Sequence, residues 1–317
     1  MSREPSLSDQ CQSPSDTPQL SRRRFLGALA SCSAALWLGA PPAAGAASGA
    51  TDLQAQVLGL LRELRAQNLI AADERSSWVI YDLTSSERLV SINEEVPRQA
   101  ASMIKPFVAQ AFFYTVEDSG GSVRYSPEVR KIMERSIRHS SNPATNQLIS
   151  LVSRYNTGRG PADVERVLKR NAPSIFRNTR IVETIPADGR TYRNQASAGD
   201  YNRFLTALWD SELPYAAELR DILALPNRDR IASGVDAIPD TVRVYDKTGS
   251  TAKLCGDMGI VEAIDFRGLS RPYTFVGIIE RSTAAKSYGT WIKRRANAIR
   301  SVSGLVYRQM QARYGLV

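Results

Sequence analysis

The chain has 317 residues, 43% hydrophobic and 23% charged, proportions of an ordinary globular protein with ample apolar material for a core. Its net charge is +9, yet the basic residues are scattered, with Arg22–Arg24 and Lys293–Arg295 the only tight clusters. A nucleic-acid binder needs a basic stripe interleaved with aromatics, and none is present. The single histidine, His139, excludes a multi-histidine metal site and is the one residue on which a Ser-His-Asp triad could rest.

Residues 1–20 are polar and rich in Ser, Pro and Asp, the composition of a disordered lead-in. Ser21-Arg22-Arg23-Arg24-Phe25-Leu26 follows, then an apolar run to about Leu38, then small residues around Pro41 and Pro42. This resembles a twin-arginine export signal, with Ala44-Gly45-Ala46 as its cleavage site, and implies an exported, periplasmic protein. Roughly 14 apolar residues are too few for a membrane span. Leu29-Ala30-Ser31-Cys32 also resembles a lipoprotein box, but the apolar run continues past Cys32, which favours cleavage over lipidation. Cys11 and Cys32 lie in this leader. Cys255 is then left as a free, buried thiol.

In the mature part, Leu53, Val57, Leu60, Leu61 and Leu64 recur at helical spacing and predict an amphipathic helix over Asp52–Gln67. Trp78–Asp82 and Arg88–Ile92 flank a turn and read as paired strands. Residues 102 to about 232 are helical in character, broken at Ser119–Ser122, Asn156–Pro161 and Ile185–Arg190. Strands return at Val242–Lys247, Met258–Phe266 and Tyr273–Glu280, and a final helix covers Ala284–Tyr314. The two ends of the chain must therefore share one sheet around inserted helices. The expected fold is α/β and two-lobed, an antiparallel sheet flanked by terminal helices plus an all-helical lobe. Its boundaries are 1–46 for the leader, 52–95 and 235–317 for the sheet lobe, and 96–234 for the helical lobe of the 47–317 domain.

Three motifs carry chemistry. In Ser102-Met103-Ile104-Lys105 a hydroxyl stands three residues ahead of an amine, at the mouth of an apolar helix, so the two share a face. Desolvation at that helix start lowers the lysine toward a usable base. The second motif is Ser140-Ser141-Asn142. The third is Lys247-Thr248-Gly249 at the end of an edge-type strand. It offers a fixed cation, a hydroxyl and a glycine that allows close backbone approach. Each pattern alone is weak, since S-x-x-K recurs at Ser250/Lys253 and S-x-N at Ser91/Asn93.

In this order, S-x-x-K, S-x-N and K-T-G resemble the penicillin-recognising serine enzymes, the class A β-lactamases and D,D-peptidases. Ile80-Tyr81-Asp82-Leu83, Thr184-Ile185-Pro186-Ala187-Asp188 and Gly256-Asp257-Met258-Gly259-Ile260 extend the resemblance over nearly the whole mature chain. It implies Ser102 as nucleophile, Lys105 as base and Ser140 as proton carrier to the leaving nitrogen. Asn142, Lys247, Thr248 and Ser250 would bind substrate, a β-lactam or a peptidoglycan stem peptide. The backbone N–H groups of Ser102 and Ser250 would form the oxyanion hole. His139 reads as a neighbour of the site. No cofactor or metal is implied, and the protein is expected to be a monomer without nucleic-acid partner or membrane span.

Two departures bear on turnover. The family's β-lactamases carry a glutamate in E-x-x-L-N that activates the deacylating water; here Asn178 aligns with it, and Glu183 and Asp188 are the nearest carboxylates, out of register. The short Ser102–Ser140 segment implies a trimmed helical lobe, and Ser141 replaces the β-lactamase aspartate. The expectation is a hydrolase acylated at Ser102 and slow to deacylate. The alternatives are a true class A β-lactamase, with Glu183 as a possible deacylating group, and a penicillin- or peptidoglycan-binding sensor without turnover.

Overall fold

A computed structural model describes residues 46–186 and 193–317. Residues 1–45 of the leader, with Cys11 and Cys32, and Asp188 lie outside the described residues. Among the described residues no helix is long and apolar enough to cross a membrane.

The chain opens with helix α1 (Ala46–Ala66) and strands β1 (Arg75–Asp82) and β2 (Glu87–Ile92). A two-residue strand β3 (Arg98–Gln99) leads into a 3-10 turn (Ala101–Ile104) and helix α2 (Lys105–Asp118). Helices α3 (Pro127–Ile137), α4 (Asn142–Arg154) and α5 (Pro161–Asn171) follow. Next come β4 (Gln195–Ala196), α6 (Ala198–Trp209) and α7 (Ala216–Leu223). The chain closes with β5 (Arg243–Ser250), β6 (Leu254–Ile264), β7 (Ser270–Glu280) and α8 (Tyr288–Tyr314). The expected sheet from both ends of the chain is present: five antiparallel strands in the order β2-β1-β7-β6-β5.

Both faces of that sheet are covered, so its central strands read as near-continuous apolar runs rather than clean alternation. Trp78, Ile80, Phe275 and Ile279 pack with Leu53, Val57 and Leu61 of α1 and Ile299 and Val302 of α8. The alternate residues Val79, Val276 and Ile278 belong to a second core with Phe107, Phe112 and Phe204 of the helices. The period of two along each strand assigns side chains to one core or the other. α2 is apolar all round because it is the axis of the second core. From Lys105 to Thr115 every residue is buried, and Phe107 meets the rings of Phe176, Tyr201 and Phe204 at centroid distances of 4.9, 5.1 and 5.0 Å.

Several features differ from the sequence expectation. The serine of S-x-x-K sits on a 3-10 turn and the α-helix proper begins only at Lys105. Pro106 has no N–H to make the α-helical bond to Ser102 O, which Lys105 N–H takes instead, and left-handed Ala101 (φ +46°) stops a right-handed helix from running further back. The pair β3–β4, with Arg98 opposite Ala196 and Gln99 opposite Gln195, has no signal in a stretch too short to show a period. The last helix also starts later than the pattern suggests, at Tyr288.

Gly277 stands opposite Trp78 in the sheet, and a Cβ there would lie 2.6 Å from the Trp78 ring. Gly277→Ala is expected to cost about 1–3 kcal/mol by overpacking and to lower the melting temperature by several degrees in calorimetry. An unchanged melting temperature would show that Trp78 is free to move.

Candidate active site

Ser102 lies on a turn fastened at both ends. The Ala100 N–H donates to Asn194 O at 2.9 Å, and Met103 N–H donates to Ala100 O at 3.1 Å. The Lys105 N–H then donates to Ser102 O. In a 3-10 turn residues three apart eclipse each other, so the turn gives Ser102 and Lys105 the common face that the motif demands. Ser102 is half-buried, and its hydroxyl takes part in no side-chain hydrogen bond among the described residues, whereas Lys105 is fully buried.

The Lys105 ammonium reaches across to the second motif. Its Nζ donates to Ser140 O at 2.5 Å, to Ser140 Oγ at 3.2 Å and to Asn142 Oδ1 at 2.9 Å. Burial, assisted by the nearby Lys247 charge, lowers its pKa to about 7. A lysine with no carboxylate partner in this position is an amine that gives up its proton near neutrality.

The loop carrying Ser140 is held so that this contact forms. Ser140 is left-handed at φ +52°, the Ser141 N–H donates to Arg135 O at 3.0 Å, and the Ser141 hydroxyl caps α4 by accepting from Ala144 N–H. Non-glycine residues in this conformation persist only where their surroundings over-determine them. Asn142 opens α4 and is shared: its Oδ1 serves Lys105, while its Nδ2 donates to Pro186 O at 3.0 Å. One helical turn later Asn146 clamps the same segment, donating to Ile185 O at 2.7 Å and accepting from Ile185 N–H at 2.9 Å. The sequence reading missed Asn146. The spacing i, i+4 from Asn142 was the available signal.

The K-T-G lies on β5, an edge strand, and is brought to the serine turn by missing side chains. A Cβ on Gly249 would lie 2.9 Å from Met103 Cγ and 3.2 Å from Ala101 Cβ, and one on Gly256 would lie 2.8 Å from Met103 Cε. Met103 therefore fills the space that two cross-strand glycines leave, and the two neighbours of Ser102 touch the strand that carries Lys247. Lys247 is buried, with Nζ donating to Thr248 O at 3.1 Å, while Thr248 and Ser250 are half-buried. Burial lowers the Lys247 pKa to about 8, against the opposing pull of Asp246 and Asp257. Burial and the neighbouring carboxylates push Asp246 well above the usual carboxylate range.

A second residue without sequence signal is Arg230. Its guanidinium donates to Gly249 O at 3.1 Å, Gly256 O at 2.5 Å and Ser250 Oγ at 2.5 Å, and its backbone N–H donates to Asp257 Oδ2 at 2.6 Å. It fixes the end of the K-T-G strand from behind. Pattern reading has no grip on it, because Pro226–Arg230 is irregular backbone.

The residues expected near a deacylating water are otherwise engaged. Asn178 Nδ2 donates to Glu95 Oε2 at 2.7 Å and its backbone N–H to Asp200 Oδ2 at 2.9 Å. Glu183 Oε1 accepts from the Arg193 N–H at 3.1 Å, and Oε2 lies 3.8 Å from Arg193 Nε. His139 is exposed at the rim. Among the described residues no group of three His, Cys, Asp or Glu side chains is placed to hold a metal ion. Cys255 is a buried free thiol.

The model of the beta-lactamase enzyme family matches residues 62–124 and 116–310. No curated protein matches the chain in sequence. Among solved structures the chain resembles PBP-A, at 20% identity, TM-score 0.63, covering 83% of this chain and 97% of that one. A PBP-A mutant solved as an acyl-enzyme complex with penicillin G matches at 19% identity and TM-score 0.63, over 83% and 97% of the two chains. A class A β-lactamase from Bacteroides cellulosilyticus matches at 17% identity and TM-score 0.63, over 83% and 99%. At these identities the likeness establishes the fold.

Gly249→Ala is expected to push Met103 and the serine turn apart and to lower the rate of acylation by penicillin by roughly tenfold or more. Adding Met103→Ala should restore part of that rate. Equal rates in wild type and Gly249→Ala would show that the strand and the turn need not touch.

Proposed function

Because the chain belongs to the beta-lactamase enzyme family, we propose that it is an active-site-serine acyl hydrolase, acylated at Ser102 by β-lactams or by peptides ending in D-Ala-D-Ala and slow to release the acyl group. The observation that carries this reading is the buried Lys105 amine, placed against Ser140 and Asn142 with its pKa lowered to about 7.

The Ser102 hydroxyl attacks the carbonyl carbon and its proton passes to the neutral Lys105 amine. A C–O bond forms and the carbonyl oxygen gains charge, stabilised by the backbone N–H groups of Ser102 and Ser250. Each such donor contributes about 10²–10³ in rate. When the C–N bond breaks, Ser140, hydrogen-bonded to Lys105, delivers the proton to the departing nitrogen. Lys247 and Thr248 receive the substrate carboxylate, and Asn142 holds the acyl-side amide.

Deacylation needs a base for water, a group that contributes about 10²–10⁴ to its step. Asn178 cannot be that base, and Glu183 is engaged with Arg193. A long-lived acyl-enzyme follows. The same reading extends to place: an exported, monomeric enzyme, its leader removed, acting in the cell envelope.

Intact-mass spectrometry during incubation with penicillin tests the reading. One adduct is expected on the wild type, persisting for minutes or longer, and none on Ser102→Ala. Rapid return to the free mass would identify a true β-lactamase, and no adduct on the wild type would remove the mechanism. Labelling without release of D-Ala from peptides would identify a non-turnover binder.

The pH dependence follows from the two lysines. The base must be neutral, so acylation should fall as pH drops through about 7. The anchor must be charged, so it should fall again as pH rises through about 8. A narrow bell is expected for the second-order acylation rate. A profile flat from pH 6 to 9 would exclude Lys105 as the base.

A further inference from the structure

A groove of about 850 Å³ runs along the outer side of α3 and α4, and its lining includes His139 and Pro143, which flank Ser140 and Asn142 of the active site. Its charge is one-sided. Lys131, Arg135, Arg138 and Arg154 line it, all exposed, and none of the four makes an ion pair among the described residues. Two are steadied by neutral acceptors: Arg135 by Gln147 Oε1 at 3.4 Å and Arg138 by Pro226 O at 3.3 Å. Two carboxylates also line the groove. Glu134 is already paired with Arg130 at 2.9 Å, and Glu128, at the far end, lies in the field of Lys131, which leaves the three arginines as the unmatched cations. Ile132, Leu151 and Pro143 supply an apolar floor.

Several arginines elsewhere have acid partners: Arg98 with Glu280, Arg203 with Asp200 and Glu95, Arg271 with Asp265, Arg295 with Glu74. Here the cations are spaced along α3 at i, i+4 and i+7, with Arg154 facing them from the end of α4. An eleven-residue helix is roughly 16 Å long, about the reach of five residues of extended peptide. Unpaired cations along such a track match carboxylates repeated along a chain.

We propose that the α3–α4 groove is a second binding site, for a carboxylate-bearing peptide strand that continues from the acyl group at Ser102 past Asn142 and His139. This rests on the acyl-hydrolase reading and gives it a substrate class: an anionic peptide longer than a β-lactam.

Two measurements test it. The first is binding of rhodamine-labelled hexaglutamate and hexaglutamine to the full chain, by fluorescence anisotropy at low and raised salt. Hexaglutamate is expected to bind roughly tenfold more tightly than hexaglutamine, with the preference erased by salt and by the double variant Arg135→Glu/Arg154→Glu. The second is acylation by penicillin and by D-Ala-D-Ala peptides carrying three glutamates or three glutamines. The double variant should acylate with penicillin at the wild-type rate, which also certifies its fold, and should lose the preference for the glutamate peptide in KM rather than kcat. Equal binding of the two hexapeptides by the wild type, or a preference that survives charge reversal, overturns the groove as a site. If penicillin fails to label the wild type while hexaglutamate binding still depends on Arg135 and Arg154, the acyl-hydrolase reading falls and the binding site stands.

Discussion

The site depends on a lysine amine buried where charge is expensive. Lys105 is at 0% exposure, and among the described residues its side-chain partners are all neutral: the Ser140 carbonyl and hydroxyl and the Asn142 amide oxygen. As an ammonium it donates to all three. As a neutral amine it keeps two donors and turns its lone pair to a hydroxyl. With a pKa of about 7 the two states are nearly equal in energy at neutrality, so the lysine can take a proton from one serine and pass it to another at little cost. A carboxylate beside it would hold the proton permanently and end that role.

The rest of the fold can be understood as keeping that arrangement in place. The helical core puts α2 at its centre, which desolvates Lys105 from behind. The sheet supplies the opposite wall, and Met103 seated against Gly249 and Gly256 sets how closely wall and turn approach. Arg230 ties the K-T-G strand to its neighbour, and Asn142 and Asn146 tie the Ile185–Pro186 segment to α4. Each contact is a hydrogen bond or a packing fit of ordinary strength. Together they fix four groups from three distant stretches of chain.

The second lysine shows the same logic with a different balance. Lys247 is also buried, but Asp246 and Asp257 lie near it and Arg230 opposes them. One oxygen of each of these two aspartates is buried without a hydrogen-bond partner. The field around Lys247 is therefore more accommodating to positive charge than that around Lys105. The two lysines thus suit the different parts proposed for them, base and anchor, through what surrounds each of them.

Much of this was legible in the sequence. Two strands at one end and three at the other, with helices between, require a shared sheet. The order S-x-x-K, S-x-N, K-T-G carries the residues proposed as nucleophile, base and anchor, because residue type and spacing are local properties. What the tertiary structure alone decided is everything set by contacts between distant stretches. Pro106, without an N–H, and Ala101, in a left-handed conformation, made the expected helix start a 3-10 turn. Met103 found its seat between glycines more than a hundred residues away, and Arg230, in patternless backbone, became the support of the K-T-G strand. The pKa of Lys105 belongs here too: the sequence supplies an amine, and only the folded environment removes the water and counter-charges that would keep it protonated.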